Sequence, residues 1–169
     1  MTVDQRKVLI GAVSGIASMA LAMWLLTSVL PQASAPTAGD RLAYAATANA
    51  FAGVVLFAML AAVGNSRFLS EAIDPTLGKE SQGMIVDGRV ADNSTQQFLI
   101  FCAATFGLAA NISEDDLHAV AAAAIVFVVA RLAFWVGYRI HPLYRAFGFA
   151  ATAYLNAGLL VAAMWLAVR

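Results

Sequence analysis

Apolar residues along this chain gather into five long runs separated by short polar turns. The first run extends from Val8 to Leu30 and the second from Leu42 to Val63, where GNSR ends it. A third covers Thr95 to Ala110, preceded by a polar extension that reaches back to Arg89. The fourth spans Leu117 to Tyr138 and the fifth Ala146 to Val168, bounded by the turns NISEDD and RIHP. A helix needs about 20 apolar residues to cross the hydrocarbon of a bilayer. The pattern therefore predicts an all-α, multi-pass transmembrane helical bundle of five helices. Transmembrane strands would instead show short alternating segments.

Composition strengthens that reading. Hydrophobic residues make up 62% of the 169 positions and charged residues 12%, against about half and a quarter in ordinary soluble domains. The formal net charge of zero gives no basic footprint for nucleic acid. Cys102 is the single cysteine and lies in an apolar run, so it reads as a packing residue, and no intrachain disulfide can form. The first run follows Arg6 and Lys7 and precedes Ala33-Ser34-Ala35, which resembles a secretory signal. Its length and Pro36, just beyond the small residues, favour an uncleaved anchor.

Charge placement sets an orientation. With the N-terminus cytoplasmic, that side receives Arg6, Lys7, Arg67, Lys79, Arg89, Arg139 and Arg145, against Arg41 and Arg169 outside. The positive-inside rule favours this arrangement. It also places the polar start of the third helix, the end of the fourth and the RIHPLYR turn at one depth.

Three groups of residues there can carry chemistry. Arg89, Asn93 and Gln96 recur at i, i+4 and i+7, which aligns a guanidinium and two amides along one helical stripe. Such a stripe suits either a zwitterionic peptide ligand or hydrogen bonding between helices. Arg131, Trp135 and Tyr138 repeat the same spacing. The two aromatics fit an interfacial belt as well as a binding face. Arg131 lies about 10 Å inside the helix end at 1.5 Å per residue. It must either snorkel outward or find a polar partner. Arg145 follows a proline-led turn, where a guanidinium can hold lipid phosphate or stabilise an anion such as a thiolate. His118 and His141 lie too far apart to form a metal site.

Taken in order, DNSTQQF and ARLAFWVGYRIHPLYRAFGFA resemble the MAPEG family, the membrane-associated proteins of eicosanoid and glutathione metabolism. The resemblance extends from about Ala43 to the C-terminus and is most specific between Arg89 and Phe149. It implies a MAPEG-like four-helix domain over residues 42–169, preceded by an additional helix and linker over 1–41. It further implies a homotrimer in a bacterial inner membrane, with glutathione as cosubstrate held between protomers near the cytoplasmic face and a lipophilic small molecule delivered by membrane lipids. On that resemblance Arg89, Asn93, Gln96, Arg131 and Tyr138 bind the tripeptide, Arg131 facing the cleft between subunits, and Arg145 activates its thiol. The implied function is conjugation of thiol to, or reduction of, a lipophilic electrophile. A non-catalytic lipid-binding or scaffold protein of the same fold is the alternative. Gln96 stands where the family motif usually has glutamate, Phe149 where several catalytic members have tyrosine, and Phe134 where one branch has histidine.

Overall fold

The computed structural model describes residues 1–169. Five helices form, α1 (Val3–Val29), α2 (Ala38–Phe68), α3 (Gln82–Asn111), α4 (His118–Ile140) and α5 (Arg145–Ala167), and there are no strands. The helix starts follow local chemistry. Thr2 with Gln5, and Thr37 with Asp40, form reciprocal capping boxes, and the Ser81 hydroxyl accepts from Met84 N–H, which satisfies amides that have no partner within the helix. Two short 3-10 turns, Glu71–Ile73 and Pro75–Leu77, shape the α2–α3 connection. There, hydrogen bonds from the Thr76 hydroxyl and N–H hold the Asp74 carboxyl below its usual pKa.

Helices α1, α2, α4 and α5 are long and apolar enough to cross a membrane. The third helix departs from the sequence expectation, because it begins at Gln82 and runs for 30 residues. Its first half carries Asp87, Arg89, Asp92, Asn93, Ser94, Gln96 and Gln97, and only the stretch beyond Phe98 is continuously apolar. At 1.5 Å per residue α2 and α3 each reach about 45 Å, so their joined ends extend past a hydrocarbon layer about 30 Å thick.

Helix α3 packs against α2, α4 and α5, while α4 also touches α2. Small residues permit these close approaches. Ala45, Ala48 and Ala52 lie on the inner face of α2, and Ala122, Ala123 and Ala124 lie within α4. The core between them holds Phe101 and Phe127, with ring centroids 4.5 Å apart. Polar pairs tie the same helices at intermediate depth. Thr105 donates to Asn49 Oδ1 at 2.9 Å, and Asn156 Nδ2 donates to the carbonyl and side-chain oxygens of Gln97, each at 2.9 Å.

Helix α1 lies against α5 and α4. Gly11 and Gly15 make this possible: a Cβ at Gly11 would sit 3.2 Å from the Ala146 Cβ, and one at Gly15 would overlap the Phe147 carbonyl oxygen. The opposite end is also fastened. Ala35 N–H donates to Glu114 Oε1 at 2.7 Å, and His118 Nε2 lies 3.0 Å from the Thr27 carbonyl oxygen. Large apolar side chains point outward, including Phe51, Val54 and Phe57 on α2 and Val161, Met164 and Trp165 on α5, as lipid contact requires.

Candidate functional site

A cavity of about 440 Å³ opens at the end of the bundle that carries the α2–α3 and α4–α5 connections. Three helices contribute two residues each: Arg89 and Asn93 from α3, Phe134 and Tyr138 from α4, and Arg145 and Phe149 from α5. The junction between α4 and α5 explains why these side chains converge. A Cβ on Gly148 would overlap Phe134 N and the Ala130 carbonyl oxygen, and one on Gly137 would lie 2.8 Å from the Tyr144 carbonyl oxygen. The two backbones thus nearly touch on both sides of the turn.

That proximity sets Arg145 beside Tyr138. Arg145 Nη1 donates to the Tyr138 hydroxyl at 2.9 Å, and its guanidinium carbon lies 4.9 Å from the centre of the Tyr138 ring. The phenol therefore holds one face of a guanidinium whose residue remains exposed. Arg89 is also exposed, and Asn93 is half-buried between it and the core.

Of the two outcomes that its depth left open, Arg131 takes the polar partner rather than the snorkelled position. It is 0% exposed, so within the protomer it stands behind the cavity wall rather than on its surface. Its Nε donates to Thr152 Oγ1 at 3.1 Å, Nη1 to Asn93 Oδ1 at 2.9 Å and Ser94 Oγ at 3.4 Å, and Nη2 to the Gly148 carbonyl at 3.5 Å. The Phe134 ring covers the guanidinium at 4.2 Å. All of these partners are neutral. A buried charge needs several such bonds to replace its lost hydration, and residues from α3, α4 and α5 supply them. The bond to Asn93 also orients that amide, with Oδ1 turned toward Arg131 and the Nδ2 donor free of any partner within the chain.

Gln96 does not line the cavity and is exposed on α3. Its neighbour Gln97 is the amide turned inward, toward Asn156. Trp135 leaves the Arg131 side as well. Its Nε1 donates to Asp87 Oδ1 at 2.8 Å, and Arg139 grips both oxygens of that carboxylate, at 2.8 and 2.5 Å. Sequence reasoning did not single out Asp87. The available signal was an acidic residue in the polar start of α3 opposite a Trp–Arg pair spaced i, i+4 on α4.

The charge balance around the cavity follows from these assignments. The ion pairs of the chain are Arg67–Glu80, Lys79–Glu71 and Arg139–Asp87. Arg139 and Trp135 thus engage Asp87, and Arg89, Arg131 and Arg145 have no carboxylate partner. The result is a cleft with positive charge, amide and phenol on its walls and two phenyl rings beside them. No group of three or more His, Cys, Asp or Glu side chains is arranged to hold a metal ion. Free Cys102 lies in the apolar half of α3.

No curated protein and no solved structure matches the chain. The model of the MAPEG family matches residues 42–165, a span that contains α3, α4 and the whole cavity wall and omits α1. This match covers well over half of the sequence, and four helices of the chain are long and apolar enough to cross a bilayer, so the chain is an integral membrane protein belonging to the MAPEG family.

Proposed function

We propose that the cavity binds glutathione or a related acidic thiol and activates it for attack on a lipophilic electrophile. The observation that carries this reading is that Arg89 and Arg145 line one cavity, with Arg131 buried behind its Asn93, and none of the three has a carboxylate partner in the chain. Glutathione supplies two carboxylates, and a guanidinium binds such groups with paired hydrogen bonds. A cavity of about 440 Å³ lies within the range usual for small-molecule sites, about 300–1,000 Å³.

Arg89 and the Asn93 amide orient the tripeptide, Arg131 holds Asn93 from behind, and Tyr138 steers Arg145. Arg145 begins α5, so its guanidinium and the positive end of the helix dipole together favour a thiolate. In conjugation the thiol gives its proton to water, its sulfur bonds to an electrophilic carbon, and that carbon's leaving group or π electron pair departs. In reduction of a hydroperoxide, two glutathione molecules yield disulfide, alcohol and water. Gln96 presents a neutral amide on the exposed face of α3, outside the lining of this cavity, where a ligand shared between protomers would meet it.

Exposed Arg89, Arg145 and Phe149 leave one side of the cavity free for a neighbouring protomer. A homotrimer with shared clefts, its N-terminus cytoplasmic in a bacterial inner membrane, is part of the same proposal. The non-catalytic alternative draws on Phe149, which places a ring without a hydroxyl in the cavity wall. Calorimetric titration of glutathione into the detergent-purified protein, followed by turnover of a lipophilic electrophile, separates the two. Saturable binding with thiol-dependent turnover is expected. Absence of both would leave the scaffold reading.

A further inference from the structure

Arg145 and Phe149 have a second side. They also line an apolar cavity of about 360 Å³ between α1 and α5, together with Val8 and Ala12 of α1, Leu143 of the turn, and Ala150 and Tyr154 of α5. The polar and apolar cavities therefore share one guanidinium and one phenyl ring. The wall from α1 is held in place by the contacts of Gly11 and Gly15 with Ala146 and Phe147. Those contacts fall on the first turn of α5, the turn that carries Arg145. Since α1 lies outside residues 42–165, the matched family unit does not build this cavity alone.

We propose that the apolar cavity is the site of the second substrate, an α,β-unsaturated carbonyl compound with an unbranched apolar tail, and that α1 exists in this protein to complete that site. The proposal rests on the thiol reading of the neighbouring cavity. Its lining is apolar apart from Arg145 and the Tyr154 phenol, so a ligand with a long tail and one polarised head has a preferred direction. The tail lies along Val8, Ala12 and Ala150, and the head reaches Arg145. A carbonyl oxygen there accepts a hydrogen bond from the guanidinium, which places the β-carbon next to the thiolate held on the other side. The sulfur forms a bond to the β-carbon, and the π pair moves to leave an enolate oxygen on Arg145. The α-carbon then takes a proton from water, replacing the one the thiol released. The product is a thioether, with no leaving group, oxidant or reductant. One guanidinium thus serves the thiolate first and the enolate next, as groups aimed at developing charge do.

Two measurements on the full-length protein test this. In the first, a saturated nine-carbon aldehyde carrying a diazirine is photolysed with the protein in the absence of glutathione. Labels are expected on the peptides containing Val8 and Tyr154, displaced by excess non-2-enal. Undisplaced labelling spread over the outer face of α2, at Phe51 and Phe57, would indicate ordinary lipid contact and overturn the proposal. The second compares conjugation of non-2-enal with that of propenal, which has the same reactive group and no tail. Val8→Trp fills the cavity from the α1 side and is expected to raise KM for non-2-enal about tenfold, leaving propenal kinetics and glutathione affinity within about twofold. Ala12→Leu, a smaller intrusion, is expected to act in the same direction by about threefold. Equal losses with both enals, or none with either in folded protein, would overturn the assignment. Displaceable labelling together with no glutathione binding would overturn the thiol reading while the apolar site stands.

Discussion

The two ends of the bundle solve the same problem in opposite ways. At the end where the linker before α2 meets the α3–α4 connection, hydrogen bonds tie separate segments of the chain together. Glu114 accepts from Ala35 N–H, Arg41 donates to the Ala109 carbonyl, Asp116 accepts from Ser113, and His118 faces the Thr27 carbonyl. The other end holds the three ion pairs of the chain, Arg67–Glu80, Lys79–Glu71 and Arg139–Asp87, and yet Arg89, Arg131 and Arg145 at and behind the cavity have no carboxylate. Internal matching fastens chain segments together, and unmatched charge near a cavity creates demand for a ligand. The difference is what the proposed function rests on, with a fastened end opposite an end whose cavity carries unpaired positive charge.

Substitutions at both ends can break or sharpen this contrast. The largest effect is expected from Arg145→Ala, which should lower turnover at neutral pH by about a hundredfold, the scale for removing one donor to a developing anion. Glutathione affinity should change far less. The pH required for half-maximal rate should also rise, because the thiol then ionises without its neighbouring cation. A rate–pH profile with affinity measured by titration checks all three, and an unchanged profile would remove Arg145 from thiol activation.

Next comes Arg131→Leu, which frees the Asn93 amide and leaves Asn93, Ser94 and Thr152 without their buried donor. Loss of a buried partner costs about 1–3 kcal/mol, so glutathione binding should weaken by about tenfold and thermal stability should fall. Arg169→Leu should leave binding unchanged. Equal ligand affinity in Arg131→Leu, on comparably folded protein, would make this arginine purely structural.

Glu114→Ala tests the opposite end. Removing the acceptor for Ala35 N–H should reduce stability by about 1 kcal/mol and leave ligand affinity alone. A binding defect of the Arg131 size would show the ends to be coupled. The smallest effect is expected from Gln96→Glu, which puts a charge on the exposed face of α3. A contact with a ligand ammonium at that exposure contributes about 0–1 kcal/mol, so glutathione should bind about twofold more tightly.

The sequence carried the five helices because long apolar runs admit few alternatives in a bilayer. It also carried Arg89, Asn93, Tyr138 and Arg145, which the fold brings to one cavity. Helical periodicity, however, could not distinguish the side of α4 that takes Phe134 with Arg131 from the side that takes Trp135. Positions i+3, i+4 and i+7 all lie within one broad face. The choice depends on Asp87, 48 positions from Trp135, and on Gly148, which admits the α4 backbone so closely that Arg131 is sealed in. Likewise Gln96 and Gln97 are adjacent amides, and only the position of Asn156 on α5 decides which one turns inward. The start of α3 was missed for a related reason: its first half interleaves Asp87, Arg89, Asp92 and Asn93 with apolar residues, and a hydropathy pattern registers only the continuously apolar half.

The seam between α1 and α5 has a consequence in time. Helix α1 is made before its partners α4 and α5, so during synthesis its glycine face must wait until more than a hundred further residues, Gly15 to Ala146, have been added. Until α5 enters the membrane, Gly11 and Gly15 have no Ala146 or Phe147 to meet. The bundle is therefore closed by its final helix, and the docking that completes the fold is the one that sets Arg145 in position. A chain interrupted before α5 would leave that small-residue face unmatched.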